Sequence, residues 1–168
     1  LVSKTQIYAG RIHIYSAPAA LTEHIGWALN QHLNQVVKIA WVKQPLLPGS
    51  LAMEFEYKSQ HPVADKIAIA LKGWHYIRFE IRQVNLLTTD AVLYRITPDL
   101  GLHQASLASN GDVVVNENQL NQIINNYYSH KMLKSNLENA LGMQWEIELE
   151  PYRLALASGM AESVSKSG

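Results

Sequence analysis

The chain has 168 residues, of which 48% are hydrophobic and 17% charged, and its 14 Lys and Arg residues balance 14 Asp and Glu residues. This composition excludes a predominantly disordered chain, and the length is sufficient for one domain with its own hydrophobic core. The chain contains no cysteine, which excludes disulfides, thiolate metal sites and thiol catalysis. The neutral balance gives no support for binding to nucleic acid or to an anionic membrane.

No membrane segment and no secretion signal are expected. Every apolar run is shorter than the roughly 18 residues that a membrane span requires. The first six residues also lack the hydrophobic stretch of a signal peptide. We therefore expect a cytoplasmic protein.

The first half of the chain alternates between strand and helix patterns. Alternating apolar and polar residues predict four strands, over residues 11–15, 36–43, 51–57 and 75–84. Helical stripes predict one helix over 17–33, capped by Ser16, and a second that begins at Pro62 and ends at Gly73. The order β-α-β-β-α-β is the ferredoxin-like arrangement, which predicts an α+β fold. Its antiparallel sheet has the strand order four, one, three, two, with both helices on one face.

The second half predicts a hairpin followed by helices. Strands are expected over 92–97, 102–108 and 113–115, with the first two beside strand four. Capping boxes at Asn116 and Ser135 predict two helix starts, and Gly142 predicts a helix end. Residues 145–153 read as a short amphipathic segment that ends near Pro151.

These elements predict a single domain with an extension. We expect one α+β domain over 7–157, which consists of a ferredoxin-like half (7–84) and a hairpin with two or three helices (92–157). A flexible tail is expected over 158–168.

The sheet face opposite the two helices carries most of the candidate site residues. The predicted strand order brings six charged or titratable side chains together: Arg11, His13, Glu54, Arg78, Glu80 and Arg82. They form either a lattice of salt bridges or a polar ligand floor, in which arginine holds an anion and His13 carries a proton. RNA binding is not expected, because acidic residues of the third strand repel phosphate.

Other candidates lie outside this face. Asp99 lies in the turn 97–101 and is a candidate binding residue, and His103 lies on the following strand. Glu146, Glu148 and Glu150 either share one face of an extended segment and hold a cation, or pair with nearby arginines. The chain lacks the common nucleotide-binding, serine-hydrolase and zinc motifs, and we expect no metal and no cofactor.

Several segments match a known family in order and with similar spacing. They are residues 15–21 with Trp27, Trp41 with 44–45 and 48–49, 71–74, 78–80, 97–101, 141–142, and 145–146 with 148–153. Over roughly residues 7–157 the chain resembles an actinobacterial family catalogued as domain of unknown function 3145. The resemblance identifies no catalytic residue. It implies a cytosolic, single-domain protein linked to type II fatty-acid synthesis, with an acyl-carrier or synthase partner.

The sequence leaves two functions open. The first is a non-catalytic binding, regulatory or assembly module that binds a protein partner or forms a homodimer, and the absence of enzyme motifs favours it. The second is a small enzyme for a polar or acyl metabolite. It would use His13 or His103 as acid or base, and Arg11, Arg78 or Arg82 to hold an anion.

Overall fold

The computed structural model of the protein describes residues 6–165. In this range the chain forms seven strands and five α-helices: β1 (Tyr8–Pro18), α1 (Thr22–Leu33), β2 (Val42–Lys43), β3 (Ser50–Ser59), α2 (Ala64–Lys72), β4 (Arg78–Asn85), β5 (Ala91–Thr97), β6 (Gly101–Leu107), β7 (Val113–Val114), α3 (Glu117–Asn125), α4 (His130–Leu141) and α5 (Met143–Ser165). The strands form one antiparallel sheet in the order β2-β3-β1-β4-β5-β6-β7. The α+β class, the order of the first four strands and the position of the β5–β6 hairpin beside β4 are confirmed.

β1 is longer than predicted, and the first helix begins later. The prediction of a helix from residue 17 with Ser16 as its cap is wrong, because Ser16 is buried within the strand. The pairing of β1 with β3 shifts register between Ile14 and Ala17, so a bulge interrupts the alternation there without ending the strand. A 3₁₀ turn (Ala19–Leu21) follows, and α1 begins at Thr22.

The predicted second strand is mostly not a strand. Only Val42 and Lys43 pair with β3, and residues 36–41 have no regular structure. This segment follows α1 instead: the Val37 amide donates to Asn30 Oδ1 at 2.6 Å, and Ile39 lies beside Gly26. Its apolar side chains still pack against the core, which is why they show the spacing of a strand.

The hydrophobic core lies between the sheet and the two helices α1 and α2. Its fully buried residues come from the central strands and from both helices: Ile12, Ile14, Ile25, Leu29, Ile67, Leu71, Phe79 and Ile81. Phe79 packs into this core while Arg78 and Glu80 point to the other face, as the alternation predicted.

The start of α2 is capped by a residue from the sheet. The N-cap position of α2, Val63, makes no side-chain cap of its own. Gln83 Oε1 of β4 accepts hydrogen bonds from the amides of Val63 (3.0 Å) and Ala64 (3.1 Å), and from the Tyr57 hydroxyl (3.0 Å). One buried amide oxygen therefore joins α2 to both β3 and β4.

The helical layer begins as predicted and then departs from the prediction. Asn116 and Gln119 form the expected capping box at the start of α3. The second predicted box is wrong: Ser135 lies inside α4, which is capped by Ser129 through the Met132 amide. α4 ends at the left-handed Gly142, as expected.

α5 is a long helix rather than a short segment that ends near Pro151. Pro151 lies inside it and removes the amide that would bond to the carbonyl of residue 147. Ile147 is 63% exposed, so water can satisfy that carbonyl. Of the predicted tail, residues 158–165 continue the helix and the last three lie outside the described residues. Among the residues that the structure describes, no helix is long and apolar enough to cross a membrane.

Replacing Phe79 by Ala tests this register. The buried ring leaves a cavity, and we expect the free energy of unfolding to fall by about 3–5 kcal/mol in urea denaturation. The control is Ile69→Ala on α2, where the side chain is 67% exposed and the change is expected to stay within about 0.5 kcal/mol. Similar losses for both variants would contradict the assigned faces.

Candidate functional site

The face opposite α1 and α2 consists of three rows of side chains that run across five strands. The ionic row is Glu54, His13, Glu80, Arg95 and His103; the middle row is Glu56, Arg11, Arg82, Leu93 and Ala105; the apolar row is Lys58, Ala9, Val84, Ala91 and Leu107. Directly opposed residues on one face of an antiparallel sheet are about 5 Å apart at Cβ, so each row is continuous.

α5 crosses the ionic row. At the β6 side, Trp145 Nε1 donates to the Gly101 carbonyl at 2.8 Å. Leu149 is fully buried in the middle, and Arg153 reaches Tyr15 on β1 with a hydrogen bond of 3.0 Å. The helix therefore divides the face into a covered part along the ionic row and an open part around the apolar row.

Arg153 is the centre of the covered part. Its guanidinium donates to Glu80 (2.9 Å), to Glu150 (3.0 Å), to Glu146 and to the Tyr15 hydroxyl. Burial alone would lower the pKa of Arg153, but the hydrogen bonds to Glu146 and Tyr15 raise it above its ordinary value. Arg153 therefore stays charged and balances carboxylates from both the sheet and the helix.

Arg95 forms a second contact between sheet and helix. Its side chain is 4% exposed, and it donates to Glu146 at 2.8 Å and to the Leu141 carbonyl at 3.2 Å. Burial lowers the pKa of Arg95, and the charges of Glu80 and Glu146 oppose this shift.

Gly142 is required where α4 meets the sheet. It has a φ of 70°, and a Cβ there would lie 2.5 Å from His103 and 2.6 Å from Arg95. Only glycine therefore combines this left-handed turn with the close approach of both side chains.

Arg78 lies under the other side of α5. Its Nε is 3.5 Å from Glu148 Oε1, and its guanidinium lies 4.5 Å from the centre of the Tyr152 ring. Glu148 also accepts a hydrogen bond from Thr97 at 2.7 Å. Glu146, Glu148 and Glu150 thus pair with arginines from two sides of a helix. The alternative of one extended acidic face for a cation is wrong.

His13 and Tyr15 stack on β1, with ring centres 4.1 Å apart. Burial lowers the pKa of His13, and the charges of Glu54 and Glu80 oppose the shift. Burial, helped by the Glu80 charge, raises the pKa of Tyr15 to about 12 although Arg153 opposes it. Both groups are therefore neutral near pH 7, and Tyr15 serves as a hydrogen-bond acceptor for Arg153.

His103 is buried where α4 ends. Its Nε2 lies 3.2 Å from the Ala140 carbonyl, which can only accept, so Nε2 carries the proton. Its Nδ1 is buried with no partner among the described residues, and the Trp145 ring packs 4.9 Å away. Burial lowers the pKa of His103, and the bond to Ala140 opposes the shift.

The open part of the face contains a cavity of about 690 Å³. Its floor is formed by four residues of the apolar row: Ala9, Val84, Ala91 and Leu107. Its charged lining residues are Arg11, Glu56, Lys58 and Arg82. The loops after β4 and β6 border it through Thr89 and Ser109.

The predicted site residues separate into three groups. Arg11 and Arg82 line the cavity, while Glu54 is 46% exposed and pairs with Arg11 at 3.1 Å. Four others belong to the covered part or its edge: His13, Arg78, Glu80 and His103. Asp99 is exposed in the β5–β6 turn, away from both. The structure therefore does not bring all eight predicted residues into one site.

Arg95 and the floor of the cavity were not predicted from the sequence. Arg95 lies directly opposite Glu80, which aligning the β4–β5 hairpin would have revealed. The floor residues are ordinary apolar strand residues and carry no signal of their own. Within the part of the chain that the structure describes, no group of three His, Asp or Glu residues is arranged to hold a metal ion.

Glu80 and Glu54 provide a matched test of the two parts, because both lie directly opposite His13, one on each side. The Glu80 side chain is 9% exposed and is shared by Arg82 and Arg153. We expect Glu80→Gln to lower the free energy of unfolding by about 1.5–3 kcal/mol, since it removes charged hydrogen bonds from a buried group. Glu54→Gln is expected to cost less than about 1 kcal/mol. Equal losses of unfolding free energy for both variants in urea denaturation would contradict the selective covering of Glu80 by α5.

Acidification tests the burial of His103. Its folded pKa lies below the ordinary value of 6.5, so the unfolded chain takes up the proton first as the pH falls. Stability is therefore complete above about pH 6.5 and decreases as the pH falls toward the folded pKa. His103→Gln, which retains a donor for Ala140, is expected to weaken this pH dependence between about pH 8 and pH 5.5. The control, His24→Gln on the exposed side of α1, is expected to leave it unchanged, and an unchanged slope in His103→Gln would contradict this assignment.

Comparison with known protein families identifies the family of the chain. The model of a family described as Protein of unknown function (DUF3145) matches residues 11–164. No curated protein and no solved structure matches the chain. The matched range contains the ionic row, the middle row and nearly all of α5. The chain therefore belongs to the DUF3145 family of proteins of unknown function.

Proposed function

We propose that the protein is a non-catalytic binding module that holds a small, mainly apolar ligand on the open part of its sheet. The observation that carries this proposal is the cavity of about 690 Å³ above the apolar row. This volume lies in the range of small-molecule sites, which combine an apolar lining with a few polar groups. The cavity has both features.

The construction of the floor supports a preformed site. The floor residues belong to paired strands and not to loops, so pairing holds their positions. Beneath the floor, the Tyr57 ring lies against Gly10, where a Cβ would come within 2.2 Å of it. The Tyr57 hydroxyl is held by Gln83, which fixes this part of the sheet.

The positions of the histidines favour binding over catalysis. Among the described residues no histidine lines the cavity. His13 and His103 lie in the ionic row, where His103 binds a backbone carbonyl and His13 stacks on Tyr15. The cavity therefore gives no support to the alternative of a small enzyme with these histidines as acid or base.

Other parts of the proposal come from the sequence. We propose a ferredoxin-like first half, a cytoplasmic location, an actinobacterial origin and a link to type II fatty-acid synthesis. A protein partner or a second copy of the chain is also proposed. It is supported by α3 and α4, which bury no residue, and by two exposed apolar side chains, Ile124 of α3 (62%) and Tyr128 between the two helices (79%).

Binding of N-phenyl-1-naphthylamine, an uncharged probe that fluoresces in apolar sites, tests the binding function. We expect saturable binding of one probe per chain. Ala91→Trp fills the cavity from a strand position that accepts an aromatic side chain, and it is expected to weaken binding at least ~10-fold.

The control is Val42→Trp on β2, where the side chain is 45% exposed and lies outside the cavity. It is expected to bind the probe like the native chain. Absence of binding to the native chain, or equal binding by all three proteins, would overturn the proposed function.

A further inference from the structure

We infer that the ligand of this cavity is an amphipathic anion, with its anionic group between Arg11 and Arg82 and its apolar body on the apolar row. This inference rests on the proposed function and adds the chemical class of the ligand. It comes from the pairing of the strands, which places these two arginines against each other at the border of the cavity.

Arg11 and Arg82 are directly opposed on neighbouring strands. Like charges in this position repel each other and destabilise a sheet. The two side chains pair in different directions: Arg11 with Glu54 and Glu56 on β3, and Arg82 with Glu80 on its own strand. No carboxylate from the described residues lies between them in the middle row, so an anion placed there would compensate both.

Both guanidinium groups have donors left for such an anion. A guanidinium has five N–H donors. Among the described residues, Arg82 donates only through Nε, at 2.8 Å to Glu80, and Arg11 donates only through Nε and Nη2. Their side chains are 49% and 56% exposed, so the remaining N–H groups are accessible. Carboxylates and phosphates are the anions that match this geometry.

The side chains that line the cavity include more cations than carboxylates, although the chain is neutral. Its charged lining consists of three cations and one carboxylate, Glu56. Lys58 stands at the β3 end of the apolar row and forms no ion pair with the described side chains of residues 6–159. The excess of positive charge favours an anionic ligand over a neutral or cationic one.

The apolar row sets the other half of the ligand. From Ala9 to Leu107 it crosses three strand spacings of about 4.8 Å, which makes an apolar strip roughly 14 Å long. On β1 and β4, the strip lies directly next to the two arginines of the middle row. An apolar chain or ring system that ends in one anionic group fits both features.

Two probes that differ by one sulfonate test the inference: 8-anilinonaphthalene-1-sulfonate and the uncharged N-phenyl-1-naphthylamine. We expect the native chain to bind the sulfonate at least ~10-fold more tightly, with a difference that shrinks as salt is added. Arg82→Gln and Lys58→Gln are expected to weaken binding of the sulfonate several-fold more than binding of the uncharged probe, so that the difference between the two probes shrinks. Lys72→Gln, at the end of α2 on the opposite side of the sheet, is the matched control.

Competition identifies the anionic group. Decanoate and decyl phosphate, at equal chain length, are expected to displace the sulfonate probe, and the stronger competitor shows whether the site prefers a carboxylate or a phosphate. Inorganic phosphate alone is expected to displace little, because it lacks the apolar body. Lys58→Gln keeps the test valid if Arg82→Gln unfolds, since Lys58 forms no ion pair with the side chains that the structure describes.

The outcomes separate the two proposals. Equal affinity for both probes, with no effect of either charge variant, overturns the anionic ligand and leaves the apolar binding function standing. Displacement by neither alkyl anion overturns it as well. Failure of the native chain to bind the uncharged probe removes the proposed function itself.

Discussion

The position of α5 depends on the buried contact between Arg153 and Glu80. Both groups lose most of their water, and the cost of removing two charges from water is repaid only when further hydrogen bonds surround them. Here Tyr15, Glu146 and Glu150 provide those bonds to Arg153, and Arg82 provides one to Glu80. Because these partners come from β1, β4 and the helix, the contact is satisfied in one placement of α5. That placement determines which part of the sheet is covered.

The two parts of the face differ in chemistry for the same reason. Glu54 and Glu80 are the same residue type, equally far from His13 in the pairing, yet one is 46% exposed and the other 9%. Because α5 covers most of the ionic row, the charged residues of that row hold the helix on the sheet. The apolar row lies beyond the helix, so its small side chains border a cavity and not a protein core. The position at which α5 crosses the sheet therefore leaves Ala, Val and Leu side chains uncovered next to two arginines.

Alternation of side chains predicted where most strands lie and the face to which Phe79 points, and the β-α-β-β-α-β succession predicted the order of the first four strands. Alternation failed at residues 36–41, where the apolar spacing reflects packing along α1 and not a strand. It also failed at Ser16, where a bulge interrupts the alternation and the sequence shows the pattern of a helix start. It failed at α5 as well, where acidic residues at every second position show the spacing of an extended segment. Glu146 and Glu150 are one helical turn apart and share Arg153, which only a helix allows. The cavity could not be predicted from its residues, because it is defined by the part of the face that α5 leaves open.

The separation of the partners along the chain has a consequence for folding. Arg153 lies 73 residues after Glu80 and 138 residues after Tyr15, so their contacts are among the most distant in sequence. Such contacts close the largest loops and form late. While the chain is being synthesised, β1 to β4 emerge before α5 exists, and the carboxylate of Glu80 then faces water. The docking of α5 is thus the step that removes Glu80 and the rest of the ionic row from water, after the strands that line the cavity have already been synthesised.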